Sequence, residues 1–226
     1  MVLSALALTA APAQAQTTLS STFGIATENV GRGISYSKEM TAPFANATLR
    51  HGQFELAGAV VRVSGGGANY EASIAARHVL ELGDFKIRTQ VERTMYPGAH
   101  TNTDYWEYGV TARRDWEDAF AQVAVRHSPD DSRGAQYVFL DAGHRIASLP
   151  FGDLSARGRL GWRPYDDNPA AGLPDYFHWN LGLDFTAGPI AFDITYHDTD
   201  LGPGTSFPSD QRIVGRMSYR LEHEWR

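Results

Sequence analysis

The stretch that decides the fold is Arg212-Ile213-Val214-Gly215-Arg216-Met217-Ser218-Tyr219-Arg220-Leu221-Glu222-His223-Glu224-Trp225-Arg226. Ile213, Gly215, Met217, Tyr219, Leu221, His223 and Trp225 fall on one parity, and Arg212, Arg216, Arg220, Glu222 and Glu224 fall on the other. Successive side chains of a strand point to opposite faces, so this alternation predicts a strand with one oily and one wet side. Ile213 to Trp225 is long for a globular strand but suits a tilted one crossing a bilayer, where roughly 9–11 residues span the hydrocarbon. Alone, it reads sooner as a half-buried strand of a soluble sheet than as a membrane strand, so its neighbours must decide.

Working back from it, the pattern repeats. Phe177, Trp179, Leu181, Leu183 and Phe185 form the cleanest oily face, and TAGP joins it to Ile190, Phe192, Ile194 and Tyr196. Leu154 to Arg163, Gln136 to Ile146, Ala119 to His127, the Trp106–Ala112 segment and Phe85 to Glu92 precede it. Asn69 to Val79, QFELAGAVVRV, a weaker segment near Pro43 to Arg50 and Thr18 to Asn29 complete twelve expected strands. The breaks alternate long and short: GRGISYSKEM, the break opened by Ser64-Gly65-Gly66-Gly67, MYPGAHTNTD, SPDDSRG, PYDDNPAAGLPD and DTDLGPGTSFPSD against His51-Gly52, Leu82-Gly83-Asp84 and TAGP. Such alternation predicts a meander with long loops at one rim and tight turns at the other, as in transmembrane barrels. A Greek-key sandwich gives no reason for it.

The 226 residues contain no run of eighteen apolar residues, which excludes a helical membrane span. No Cys is present, which removes disulfides, thiolate zinc sites and thiol catalysis together. A net charge of −6 offers no footprint for nucleic acid. MVLSALALTAAPAQA is short, apolar and ends in Ala13-Gln14-Ala15, the small-residue pattern before a signal-peptide cut. We therefore expect a signal peptide over residues 1–15 and an outer-membrane barrel over 16–226. No basic residue precedes the apolar core, a departure from the usual leader that points to Met1 as an internal methionine.

A lipocalin-like cup would place its apolar face inside, and here the other face is too charged for that. The residues expected to line the lumen are Lys86, Arg88, Glu92, Glu107, Arg113, Arg126, Arg157, Arg159, Arg163, Asp184, Asp193, Arg212, Arg216 and Arg220. Asp141 and Arg145 are assigned to the same inner face. Oily outside and wet inside satisfies both faces only when the outside is lipid, and closure pairs every backbone group. Tyr105, Trp106, Trp162, Tyr176, Tyr196 and Trp225 near strand ends fit aromatic girdles. The lumen collects about twelve Lys and Arg against about seven Asp and Glu, a balance that favours anions in a pore.

Val30-Gly31-Arg32-Gly33-Ile34-Ser35-Tyr36-Ser37 resembles the early RG-[IV]-S motif of the proteobacterial TorF family of proposed porins. Tyr176-Phe177-His178-Trp179 resembles its Tyr-x-Asp-Trp segment, with His178 where the family usually has Asp. Tyr196-His197-Asp198-Thr199-Asp200 resembles its Tyr-x-Asp-Thr-Asp segment. The resemblance implies an outer-membrane barrel with a proposed pore role and brings no catalytic residues.

None of the eight His falls in an HExxH or GxSxG context, and Ser155 with His144 is a guessed dyad at most. Asp130-Asp131 and Asp166-Asp167-Asn168 lack the EF-hand spacing and read better as solvated turns than as a Ca²⁺ site. No cofactor or metal is expected. The function expected is passive passage of small hydrophilic solutes through the cell outer membrane of a Gram-negative bacterium, mildly favouring anions. A non-conducting barrel presenting surface loops is the alternative, with a lipid-modifying enzyme behind it. Outer-membrane lipid, periplasmic chaperones and the barrel-assembly machinery are the expected partners, without nucleic acid.

Overall fold

Alternating side chains give each strand two incompatible faces, and the chain resolves this by curling one continuous sheet until its ends meet. A computed structural model describes residues 16–130, 134–202 and 208–225. The expected leader with its cut after Ala15, and Asp131, lie outside the described residues. The barrel strands are β1 (Thr17–Ala26), β4 (Ala42–His51), β5 (Phe54–Gly65), β6 (Ala68–Leu82), β7 (Phe85–Met95), β8 (Tyr105–Asp115), β9 (Ala119–Ser128), β10 (Ala135–Leu149), β11 (Gly152–Arg163), β12 (Tyr176–Ala187), β13 (Ile190–Thr199) and β14 (Arg212–Trp225). The two-residue strands β2 (Val30–Gly31) and β3 (Ile34–Ser35) form a small hairpin within the first loop. A single helical turn, α1 (Asn168–Ala171), sits between β11 and β12.

Each barrel strand pairs antiparallel with its sequence neighbours, and β1 closes the ring against β14 from Thr17↔Trp225 to Ala26↔Arg216. Closure leaves no strand edge, which hydrocarbon would not tolerate. The register carries the inward parity from strand to strand. Arg216 lies opposite Asp193, Asp184 opposite Asp193, Arg159 opposite Asp141 and Lys86 opposite Arg113.

On the outer face, Ile213 is 69% and Leu181 61% exposed, within a broad exposed apolar surface that also holds Leu183, Ile194 and Phe192 and suits an apolar surrounding. Outward-facing charges stand near strand ends. Arg93 pairs with Asp104 and lies 5.4 Å from the Trp106 ring, while Arg114 pairs with Asp84 at 2.7 Å and sits beside Phe85 and Trp116. Long arginine stems let the charge reach the interface while the methylenes stay in lipid.

One rim carries the tight turns with the start of β1 and the end of β14, Thr17 and Trp225; the other carries the long connections, with one departure. Where Ser64 to Gly67 was expected to open a longer break, β5 and β6 run on to a turn of only two residues, 66–67. His100, from the 96–104 loop, donates its backbone N–H to Gly66 O at 2.7 Å and holds this hairpin at the rim. Two expected girdle residues also face the other way. Tyr105 and Tyr176 share the inward parity, opposite Thr94 and Arg163, and Tyr176 is 1% exposed. Trp106, Trp162, Tyr196 and Trp225 face outward.

Candidate functional site

The lumen is built from the wet parity of every strand. Lys86, Arg88 and Glu92 project from β7, Glu107 and Arg113 from β8, and Arg126 from β9. Arg157, Arg159 and Arg163 project from β11, Asp184 from β12, Asp193 from β13, and Arg212, Arg216 and Arg220 from β14. Most are brought together as ion pairs. Arg157 meets Asp184 at 3.5 Å, Arg159 meets Asp141 at 2.8 Å, and Arg216 meets Asp193 at 2.6 Å. Toward the short-turn rim, Lys86 and Arg113 share Asp115, and Arg220 meets Glu222.

Carboxylates not singled out from sequence join this face. Glu55 lies opposite Arg77 and attracts both Arg77 and Arg88, and Glu71 accepts the Tyr96 hydroxyl at 2.8 Å. With them the interior becomes a near-balanced network rather than a simple basic ring.

Side-chain volume divides the interior into two walls. β1, β4, β5 and β6 contribute Thr22, Gly24, Ala26, Ala42, Asn46, Thr48, Ala57, Ala59, Ser73 and Ala75, while β10 to β14 carry the large charged groups. The space left between them is a cavity of about 440 Å³, lined by Ala26, Ala42, Asn46 and Ala59 on one side and by Asp141, Arg157, Arg159, Asp193 and Arg216 on the other. A second cavity of about 140 Å³ continues along the small-residue wall past Asn46 and Ala59 to Thr48, Ala75 and Arg77.

Above the larger cavity, the loop over residues 27–41, here L1, folds into the barrel instead of standing outside it. Three anchors hold it. Glu28 pairs with Arg212 of the closing strand at 2.7 Å. Ile34 is buried against Leu173 and Tyr176, with Tyr165 and Leu201 packed around them. Arg32 reaches the far wall, where its guanidinium pairs with Glu107 and stands 4.8 Å from the Tyr137 ring centroid, while its carbonyl accepts from the Tyr176 hydroxyl at 3.0 Å. Burial alone would lower the Arg32 pKa, but attraction to Glu107 and nearby groups outweighs it and holds the pKa well above its ordinary value. The charge is therefore permanent.

Inside L1, the buried Ser37 hydroxyl accepts from Asn29 N–H and Ser35 N–H donates to Pro208 O, so loop polar groups that leave water find partners. Gly33 has φ +81°, and a Cβ there would lie 2.4 Å from Thr199 Cγ2 and 2.6 Å from His178 Cβ. Only glycine lets this backbone both turn and approach β12 and β13 so closely.

The RG-[IV]-S motif is thus the tip of a constriction. Sequence reasoning used Arg32 and Gly33 as a family signature and assigned neither to the lumen. The available signal was Ile34 and two small serines in a break otherwise expected to be solvated.

Ser155 and His144 lie on opposite faces of the sheet, because Ser155 is opposite Arg145 and His144 is opposite Ala156; they form no dyad. Asp166, Asp167 and Asn168 lead into α1: Asp167 and Asn168 carbonyls accept from Ala171 and Gly172 N–H. Among the described residues no group of three or more His, Asp or Glu is arranged to hold a metal ion.

These features define a porin-like barrel: twelve antiparallel strands, an apolar exterior, a charged lumen and one loop set across it. The family model for a bacterial protein of unknown function, Gcw_chp, matches residues 10–215, and the chain belongs to that family. Among solved structures it is similar to the KdgM porin, with TM-score 0.59 and 9% identity over 90% of this chain and 97% of that one. It is also similar to the NanC porin, with TM-score 0.56 and 11% identity over 88% and 97%. A KdgM porin in complex with disordered oligogalacturonate gives TM-score 0.56 at 8% identity over 92% and 99%. At these identities the likeness is one of fold. No curated protein matches the chain in sequence.

Proposed function

We propose that the protein is an outer-membrane pore through which small hydrophilic solutes pass passively, with a mild preference for anions, and that L1 sets its bore. The observation that carries this reading is the free space in two adjacent cavities along the small-residue wall beneath L1. A barrel serving only as a scaffold has no need to keep alanine, serine and glycine along one side of its lumen. The four arginines lining the larger cavity, Arg32, Arg157, Arg159 and Arg216, face three carboxylates, Glu28, Asp141 and Asp193, which supports the anion preference at this level. The TorF resemblance supports the pore role as well. On this reading the long loops face outward from the cell and the tight turns face the periplasm.

Planar-bilayer recording tests the proposal. Discrete conductance steps are expected. Replacing Arg157, Arg159 and Arg163 together by Glu should move the reversal potential in a salt gradient toward cation selectivity, because three fixed charges at the lumen wall change sign. A correctly folded barrel that gives no steps would overturn the pore.

The second reading, a barrel that presents loops, draws on the packing of Leu173 and Leu201 from two other loops over Ile34 of L1. It predicts silent bilayers and an intact surface epitope. Cell fractionation bears on both, since recovery from soluble periplasm would contradict either one.

A further inference from the structure

We propose that the outer face of β9 to β14 carries a seat for one glycerophospholipid of the leaflet on the tight-turn side, with an acyl chain in a groove and ester or phosphate oxygens at His144. The proposal goes beyond the pore reading and concerns only the lipid-facing side of the wall.

The exterior holds an open groove of about 710 Å³, floored by Ala119, Ala142, Ala156 and Gly158 and bounded farther along by Leu181 and Leu183. The four floor residues have outward parity, and their side chains are too short to cover the sheet. Leu140 and Leu160, paired beside Ala142 and Gly158, stand exposed and give the floor a raised edge.

Ladder register fixes the course of the groove. Ala119 lies opposite His144, His144 opposite Ala156, Ala156 opposite Leu183, Leu183 opposite Ile194, and Ile194 opposite Gly215. Ala119 opens β9 next to the 116–118 turn, whereas Gly215 O accepts from Thr27 N–H past the end of β1, at the long-loop rim. The row therefore climbs obliquely from the tight-turn rim toward the other. Five steps of about 4.8 Å from β9 to β14 make about 24 Å, and with strands tilted about 35–45° that run rises roughly 15 Å. One leaflet, half of a hydrocarbon core about 30 Å thick, has the same depth.

Polarity along the groove runs in the order of a phospholipid. At its lower end His144 is exposed and, among the described residues, has no hydrogen-bond partner. At its upper end the Tyr196 hydroxyl is already bonded to Asp198 and Gln211. An imidazole offers at least one N–H donor, and a polar group facing hydrocarbon without a partner is costly. Trp116, exposed at the turn with its backbone N–H bonded to Ala119 O, marks the headgroup level close below. Ester and phosphate oxygens are acceptors found at that level, and the chain attached to them follows the apolar floor upward.

Native mass spectrometry of the detergent-folded barrel, titrated with dipalmitoyl phosphatidylethanolamine, tests the seat. One lipid should bind saturably to the wild type. Ala156→Phe fills the floor and should weaken binding about tenfold, or 1.4 kcal/mol. Ala72→Phe, outward on β6 opposite Val60 and away from the groove, should leave binding unchanged. His144→Leu should weaken it roughly threefold, as loss of one hydrogen bond does, and His144→Gln, which restores a donor, should recover it. Each variant is first checked for the folded band on an unheated gel, and Ala142→Phe replaces Ala156→Phe if the latter does not fold. Lipid retained equally by the filled variant, several lipids bound without saturation, or a dimer of the barrel that Ala156→Phe dissociates would overturn the seat. None of these readouts depends on conductance, so a silent bilayer defeats the pore and leaves this test intact.

Discussion

Gly33→Val is expected to drive L1 out of the lumen and to enlarge the single-channel conductance. The position has φ +81°, and Thr199 and His178 occupy the space a side chain would need. A non-glycine residue held in such a backbone costs about 1–3 kcal/mol, and a β-branched one sits at the worse end. The clash adds to this, because β12 and β13 are locked in the barrel ladder and cannot retreat. What opposes expulsion is local to L1: the Arg32–Glu107 pair, the Tyr137 contact and the Ile34 cluster. Since the tip carries Arg32, moving Gly33 removes that guanidinium from the far wall.

Limited trypsinolysis of the folded barrel gives an independent readout. Arg32 and Lys38 should resist cleavage in the wild type and become cleavable in the variant. Equal conductance together with equal protection would show that L1 does not depend on this glycine.

The second large effect concerns the outer face. Leu181→Arg places a charge near the middle of β12, on the parity that includes Phe177, Trp179, Leu183 and Phe185. A charge on the lipid face of a barrel costs about 2–4 kcal/mol at the bilayer midplane. Ala59→Arg, near the middle of β5 but facing the cavity, meets water and should cost far less. Urea titration of folding into lipid vesicles separates the two. Comparable loss of stability at both positions would contradict the assignment of faces.

The parity of each strand was legible because only two faces exist and the wet one could not be apolar. Once Phe177, Trp179 and Leu181 were assigned outward, the rule already required Tyr176 and His178 to face inward. Reading Tyr176 as a girdle residue let residue type override parity. L1 was not legible in the same way. Its residues follow no period, and its placement comes from single contacts with β8, β12, β13 and β14, distant in sequence from residues 27–41. The carboxylates Glu55 and Glu71 were undercounted for a related reason. β5 and β6 carry mostly small residues inward, so their polar face looked weak until Arg77, Arg88 and Tyr96 supplied partners.

The seam between β1 and β14 has a consequence in time. Gln16 and Glu224, bonded across it at 2.8 Å, are 208 positions apart in the chain. Pairing at that separation is intrinsically slow, because loop-closure entropy is spent before any contact rewards it. The other hairpins can form between neighbours, but the ring stays open until the last strand arrives. Glu28 of L1 is fastened to Arg212 of that same strand, so one of the three anchors of the constriction forms only when the ring shuts. A molecule whose seam has not paired is therefore an open sheet with two raw edges and a loop short of one anchor.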